Sequence, residues 1–323
     1  MTRRITCGLA VILLLPAVAC AQHEDILVLD TSGFWRCFYT LRQPLVRKGE
    51  RLEKVGFSAK WLERETGLPP ADWAARDFDD SPWPRVPGVF TRRARRGVGR
   101  FSPMVALACR RAKFHLTDPS RVTDLKLSIT YYGGVIVYLN GTEIVRGHLP
   151  KGRKVGPDAL ADDYPLECHV KADGSPLVLE KWYPDKETLR RVALRNRRLE
   201  DVIVPARLLR KGVNVLAIEV HRAPYHEKAV GVEQKHWRLT KIGWGTCGLV
   251  SARLTASNAD GLVPNVARPK GFQVWNSDPL TSDFDLDYGD PNERLRPVTL
   301  VGTRGGAFSG KVVVGSDEPI KGI

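Results

Sequence analysis

The sequence predicts an all-β protein: an antiparallel jelly-roll or β-sandwich with a helical insertion, followed by a short, partial second β domain. Three observations point there. The stretch from Tyr131 to Gly147, YYGGVIVYLNGTEIVRG, holds two runs rich in β-branched and aromatic residues around Asn140-Gly141. That dipeptide accepts positive φ at both central positions of a type I′ turn, whose twist matches the flanking strands, so it marks a hairpin. Short strand-like runs punctuated by Gly and Pro recur along the chain with one helical stretch among them, as in a sandwich or barrel. Both faces of the hairpin are mostly apolar, which suits strands lying inside such a body.

The first 21 residues have the anatomy of a secretory signal peptide. Arg3 and Arg4 form a basic start, Leu9 to Leu15 an apolar run, and Ala19-Cys20-Ala21 a small-x-small cleavage site before Gln22. They predict a secreted or periplasmic protein. The alternative takes Ala17-Val18-Ala19-Cys20 as a lipobox and anchors the chain through Cys20. No later stretch is long and apolar enough to span a bilayer as a helix.

From residue 22 to 75, Asp25 to Leu29 and Phe34 to Tyr39 read as strands, and Trp61 to Arg64 and Pro70 to Arg76 as short helical turns. Asp77 to Pro84 is turn-rich, its short acids suited to bonding nearby backbone amides; calcium is the other reading of so dense a set of carboxylates. Val105 to Leu116 and Val122 to Tyr132 are strands broken by Thr117-Asp118-Pro119-Ser120. In the hairpin, the tight loop sets Leu139 opposite Thr142 and Val137 opposite Ile144. Val137, Leu139 and Ile144 then share one face, and Ile136, Tyr138 and Val145 the other.

Pro150 to Pro165 is an aperiodic Gly/Pro/Asp loop, and loops of this kind are often functional. Lys186 to Leu199 reads as a helix, with Leu189, Val192, Ala193 and Leu199 on one stripe and arginines around the rest. It belongs to an insertion, residues 152–199, placed against the outside of the sandwich. Val202 to Val204 resume the extended chain, Pro205 opens a single turn through Leu209, and Val213 to His221 is a strand. Leu216, Ile218 and Val220 point one way along it; Ala217, Glu219 and His221 point the other. Trp237 to Ile242 and Leu249 to Leu254 complete the sheet. The sandwich is thus residues 22–258 and the linker 259–271; the partial second domain, 272–323, is too short to bury a core of its own.

Net charge is +14, falling to +12 when Arg3 and Arg4 leave with the leader. The excess sits in Arg92, Arg93, Arg95 and Arg96, and in Arg190, Arg191, Arg195, Arg197 and Arg198. An exported chain with no nucleic-acid module is a poor partner for nucleic acid; anionic polysaccharide or a cell-envelope polymer fits better, and a plain solvated basic surface is the alternative. Cys37, Cys109, Cys168 and Cys247 follow the leader. Their spacing suits neither zinc nor a redox pair, leaving disulfides of undetermined pairing or buried free thiols.

Other motifs fall short. Gly305 to Lys311 matches a phosphate loop, but Val312 replaces the magnesium-binding hydroxyl and a strand follows. Asp283 to Asp290 alternates acid with apolar residues like a half-buried strand, and its glycine comes one place late for a calcium loop. There is no HExxH and no GxSxG. No spacing sets two carboxylates about 5–10 Å apart across a cleft, as a glycosidase needs. No cofactor is predicted.

Four stretches in this order carry a resemblance: FDDSPWPRVP from Phe78, RRAKFHL from Arg110, VYLNGTEI from Val137, and IVPARLLRKGVNVLAIEVH from Ile203. Together they resemble the galactose-binding-like β-sandwich found in many glycoside hydrolases, over residues 25–258. The insertion from Gly152 to Leu199 departs from that pattern. The tail GTRGGAFSGKVVVGSDEPIKGI is similar to the β domain that precedes the catalytic barrel in some secreted glycosidase-like proteins. The resemblance implies a non-catalytic sandwich that binds sugar through loops at one end, or packs against an enzyme domain.

Sugar recognition needs an aromatic face for the C–H side of a pyranose and polar groups for its hydroxyls. Trp35, Tyr131, Tyr132, Trp182 and Tyr183 are candidates for the first role; Glu219, His221 and His226 for the second. Each also has a structural alternative as core filler or a satisfied strand-end histidine. Trp83 is assigned to the core. Tyr131-Tyr132 precede Gly133-Gly134, which leave room for a ligand or an approaching backbone. The expected function is an exported, non-catalytic carbohydrate-binding or accessory module of a polysaccharide-processing system, with carbohydrate or anionic polysaccharide, and a glycoside hydrolase domain, as partners. Its rivals are the front of a glycoside hydrolase whose catalytic domain lies beyond Ile323, and a basic envelope scaffold without a sugar pocket.

Overall fold

Alternate residues of a strand face opposite layers, and here the inward set of two sheets meets in one core. The computed structural model describes residues 25–56, 64–87, 102–152, 154–177, 185–230, 242, 244–280 and 282–322. In chain order the strands are β1 (Ile26–Asp30), β2 (Phe34–Leu41), β3 (Leu45–Lys48), β4 (Arg51–Lys54), β5 (Arg85–Pro87), β6 (Val105–Leu116), β7 (Lys126–Tyr132), β8 (Gly134–Leu139) and β9 (Thr142–Gly147). Helix α1 (Lys186–Ala193) precedes β10 (Arg197–Ile203), β11 (Gly212–His221) and β12 (Tyr225–His226). After α2 (Glu227–Val230) come β13 (Gly248–Ala256), β14 (Leu262–Val263), β15 (Phe272–Ser277) and β16 (Lys311–Ser316).

Strands β1-β13-β7-β10 form one sheet, and β5-β2-β6-β11-β8-β9, with β14 alongside β6, the other. Pairing within both is antiparallel. Leu127, Ile129, Leu249 and Leu254 of the first sheet meet Val135, Val137, Leu216, Ile218 and Phe114 of the second. The predicted all-β sandwich is what the chain adopts. Among the described residues no helix is long and apolar enough to cross a membrane.

The Asn140-Gly141 hairpin forms, with φ of 52° and 86° at the two positions. It lies at the rim of the sheet rather than inside it, β9 being an edge strand, and its register differs from the expected one by a β-bulge. Leu139 pairs with Thr142 and Tyr138 with Glu143, but Val137 pairs with Val145 rather than Ile144. Ile144 and Val145 both pack toward the core, which the extra residue allows and strict alternation does not. Asn140 also ties the turn to the neighbouring strand. Its Nδ2 donates to Leu208 O and Asn214 Oδ1 at 2.9 and 2.8 Å, and its Oδ1 accepts from the Val215 N–H at 2.9 Å.

Three further expectations are corrected. Helix α1 ends at Ala193, not Leu199; Leu199 pairs with Ile129 in β10 and packs on the core, a burial the helix could not give it. Asp283 to Asp290 is a turn rather than a strand: the Asp287 N–H donates to Phe284 O, the Phe284 N–H donates to the Asp287 carboxylate, and Phe284 and Leu286 are exposed. Trp35 and Tyr131, offered as sugar-stacking faces, are 1% and 0% exposed in the core, so neither ring can meet a ligand. The four cysteines at 37, 109, 168 and 247 are buried free thiols, the second of the two alternatives. Trp83 lies in a cluster with Trp73, Phe38 and Phe78, as expected of a core residue. Trp61 and most of Trp237 to Ile242 lie outside the described residues.

Beyond the sandwich, β15 and β16 pair with each other, leaving Phe272, Val274, Val312 and Val314 exposed. An ionic cluster clips this region to the sandwich. Glu293 accepts from both Arg36 and Lys113, and Lys113 also reaches Asp80 at 2.7 Å. Arg85 donates to Tyr288 O, and Arg296 reaches Asp79 at 3.1 Å. Burial pushes the Glu293 carboxyl up, but the Arg36 hydrogen bond and the charges of Arg36 and Lys113 outweigh it and bring it to about 2. Asp290 moves the other way, raised by burial and by Glu293.

Two outcomes are expected. Asn140→Ala strands the Val215 amide and the Leu208 carbonyl and puts a Cβ-bearing residue with no local hydrogen bond at positive φ. It should cost roughly 2–3 kcal/mol in urea unfolding, with an unchanged m-value. Glu293 has a folded pKa below its unfolded value of ~4.3, so its contribution is present above that value and lost as pH falls toward about 2. Protonating Asp290 partly offsets the loss, because its raised pKa makes the ionised form the costly one. Protection factors for amide exchange across 288–296, corrected for the intrinsic pH dependence, should therefore fall on acidification below pH ~4, and Glu293→Gln should remove most of that acid dependence.

Candidate functional site

The outward face of the larger sheet is covered by two segments that leave a gap between them. Residues 70–84 cover one part, packing Trp73 and Trp83 on Leu107, Cys109 and Ala217. They are held there by Arg111, whose guanidinium donates to Trp73 O and Ala75 O at 2.5 and 2.8 Å and pairs with Asp80 at 2.8 Å. The dense acids of Asp77 to Pro84 thus supply an internal counter-ion, Asp80, and an Asx-type turn in which Asp79 accepts from the Ser81 N–H at 3.0 Å. The chain from Leu149 to Cys168 covers the other part, packing Leu149, Ala161, Tyr164 and Cys168 with Ile136, Ala223 and Trp244.

Tyr138 touches both clusters, and beside it the gap opens into a cavity of about 690 Å³. Its floor is Ile136 and Tyr138; its rim is Glu143, Arg146, Lys151, Gly152, Lys154 and Val155. The bulge builds this site. Glu143 lies opposite Tyr138 and Arg146 opposite Ile136, so both point outward although three residues apart. Strict alternation would have sent one of them into the core. Arg146 grips Glu143 through two bonds of 2.5 Å and donates to Pro150 O at 2.7 Å. Lys151 and Lys154 are exposed on the adjoining loop, so among the described residues the rim carries three cations against one carboxylate.

Beside the floor, on the neighbouring strand β11, Glu219 and His221 are 7% and 0% exposed. Tyr138 Oη donates to Glu219 Oε2 at 3.1 Å, and Glu219 Oε1 lies 2.6 Å from His221 Nε2. Burial, then the Glu219 charge and hydrogen bond, push the Tyr138 phenol far above its ordinary value, so it is a donor at any physiological pH.

The remaining sequence candidates are scattered. Tyr132 is half-buried and meets Trp244 edge-on at 5.9 Å, in the cluster of Tyr164, Tyr225 and His169. His226 lies 5.9 Å from His169, whose imidazole burial, Arg195 and His226 hold down to about 3. The core Tyr131 phenol bonds His148 Nδ1 at 2.9 Å. Trp182 and Tyr183 lie outside the described residues. Glu219 and His221 come together beside the cavity floor; none of Trp35, Tyr131, Tyr132, Glu219, His221 and His226 lines the cavity. Sequence reasoning missed Tyr138, Arg146, Lys151 and Lys154. The signal it did have was the aperiodic loop from Pro150, and an aromatic residue on the face of β8 opposite the core. No group of three or more His, Cys, Asp or Glu residues among those described is arranged to hold a metal ion.

No protein-family model matches the chain, and no curated protein matches it. Solved structures to which it is similar include a beta-glycosidase from Bacteroides vulgatus, at 12% identity over 78% of this chain and 22% of that one, with a TM-score of 0.30. Another is a Bifidobacterium dentium beta-glucuronidase complexed with coumarin-3-O-glucuronide, at 12% identity, 78% and 32% coverage and a TM-score of 0.34. A third is a b-glucuronidase from Ruminococcus gnavus, at 11% identity, 80% and 33% coverage and a TM-score of 0.31. The chain spans between about a fifth and a third of the length of these glycosidases. At such scores the likeness carries no functional information.

Proposed function

We propose that the protein is a non-catalytic carbohydrate-binding module of a polysaccharide-processing system, and that it takes anionic polysaccharide in the cavity beside β8 and β9. The observation that carries this is the rim of Arg146, Lys151 and Lys154 around a floor of Ile136 and Tyr138. An aromatic and aliphatic floor suits the C–H face of a pyranose, and ammonium groups suit its carboxylates. The cavity, at about 690 Å³, falls in the range of small-ligand sites, ~300–1,000 Å³. Export, which the leader-like first 21 residues predict, belongs to the same reading.

The nearby carboxylates support binding over catalysis. Glu143 is gripped on both oxygens by Arg146, and Glu219 is held on one oxygen by Tyr138 and on the other by His221. A glycosidase acid or nucleophile needs an oxygen free to reach the scissile bond.

Affinity electrophoresis in gels containing polygalacturonate, with a neutral glucan in parallel, tests the proposal. Binding to polygalacturonate should persist at about 0.15 M salt, where long-range attraction to a merely basic surface is largely screened. The double variant Lys151→Ala/Lys154→Ala should bind about tenfold more weakly, which corresponds to ~1.4 kcal/mol. Equal retardation of wild type and variant, abolished by salt, would instead identify a basic scaffold without a pocket.

A further inference from the structure

The hydrogen-bonded chain beside the cavity floor does not stop at the strands. From Tyr138 it runs through Glu219 to His221, and His221 Nδ1 lies 3.1 Å from the carbonyl oxygen of Ala159. A carbonyl only accepts, so Nδ1 carries a proton. The 2.6 Å contact between His221 Nε2 and Glu219 Oε1 then needs one further proton, on one atom or the other. The pair is electrically neutral in both forms: imidazole with carboxylic acid, or imidazolium with carboxylate. That neutrality is what allows it to sit buried between the strand and the covering loop.

One end of this chain lies in the cavity and the other in the loop at its rim. Tyr138 is its floor, and Ala159 closes the loop that presents Lys151 and Lys154 at its rim. Arg146 pins the start of that loop through Pro150 O, and His221 pins its far end at Ala159. Just beyond, the Ala161 N–H donates to Arg222 O at 2.9 Å and the Asp162 N–H to His148 O at 3.0 Å. The lysines thus ride on a span whose two ends are fixed from the sheet.

We propose that Glu219 and His221 are positioning residues of the cavity: with Tyr138 they latch the loop of residues 150–159 to the sheet and so set where Lys151 and Lys154 stand. The affinity part of this rests on the anionic-ligand reading; the latch itself does not. Glu219→Gln is the informative variant. A glutamine amide donates to His221 Nε2 while its oxygen accepts from Tyr138, so every link is kept with no carboxylate present. Glu219→Ala breaks two links, and Tyr138→Phe removes one.

The test measures amide exchange at Ala161 and Asp162 against Ile218 in the core of β11, and polygalacturonate affinity, on the full chain. In Glu219→Ala, exchange at the two loop amides should rise at least about tenfold with Ile218 unchanged, and affinity should fall by a similar factor. Glu219→Gln should stay within about twofold of wild type on both measures. Should Glu219→Ala not fold, Tyr138→Phe takes its place, with a rise of about threefold expected. The proposal is overturned if Glu219→Gln loosens the loop as much as Glu219→Ala or Tyr138→Phe does, or if loop and core amides accelerate together. Loop exchange that follows the expected pattern while no form binds polygalacturonate upholds the latch and removes the ligand reading alone.

Discussion

Strand β11 has no free face, and much of the molecule follows from that constraint. From Asn214 to His221 every residue is buried, between the core on one side and covering loops on the other. A buried polar side chain is tolerated only when hydrogen-bonded. On and beside β11 the partners are supplied by the backbone of the covering segments: Arg111 holds residues 73–80, and His221 holds Ala159. Asn214 and Asn140 close the opposite end around Gly212 and Leu208. The polar residues of the doubly buried strands therefore fix the loops.

The cavity beside Tyr138 is a by-product of how those loops meet. Two covering segments pack on one sheet face, each with its own apolar cluster, and Tyr138 bridges the seam. Apolar packing closes the seam elsewhere, while at the edge of β9 cationic side chains line it instead.

Past β14, whose Leu262 joins the sandwich core, the chain is tied back to the sandwich by an ionic clasp. Glu293 sits between Arg36 and Lys113, while the β15–β16 ribbon leaves much of its apolar surface exposed. Buried ion pairs return little net stability, because desolvation consumes most of the Coulomb gain, but they specify geometry. The clasp thus fixes where the segment lies without supplying the core that a two-stranded ribbon lacks.

The sequence by itself determined the local geometry: the Asn-Gly hairpin, the strands of β6 and β11, the turn after Pro205, and the core place of Trp83. Short-range rules suffice for these, since turn chemistry and period-two alternation act within a few residues. Tertiary structure alone decided the bulge at Ile144. One extra residue flipped Val145 inward and Arg146 outward, and no neighbour in sequence announces it. It decided equally that Tyr131 and Trp35 are core, that Leu199 belongs to a strand, and that Lys151 and Lys154 flank Tyr138. Those outcomes depend on which distant surface each side chain meets, and burial of that kind is a property of the assembled sheets.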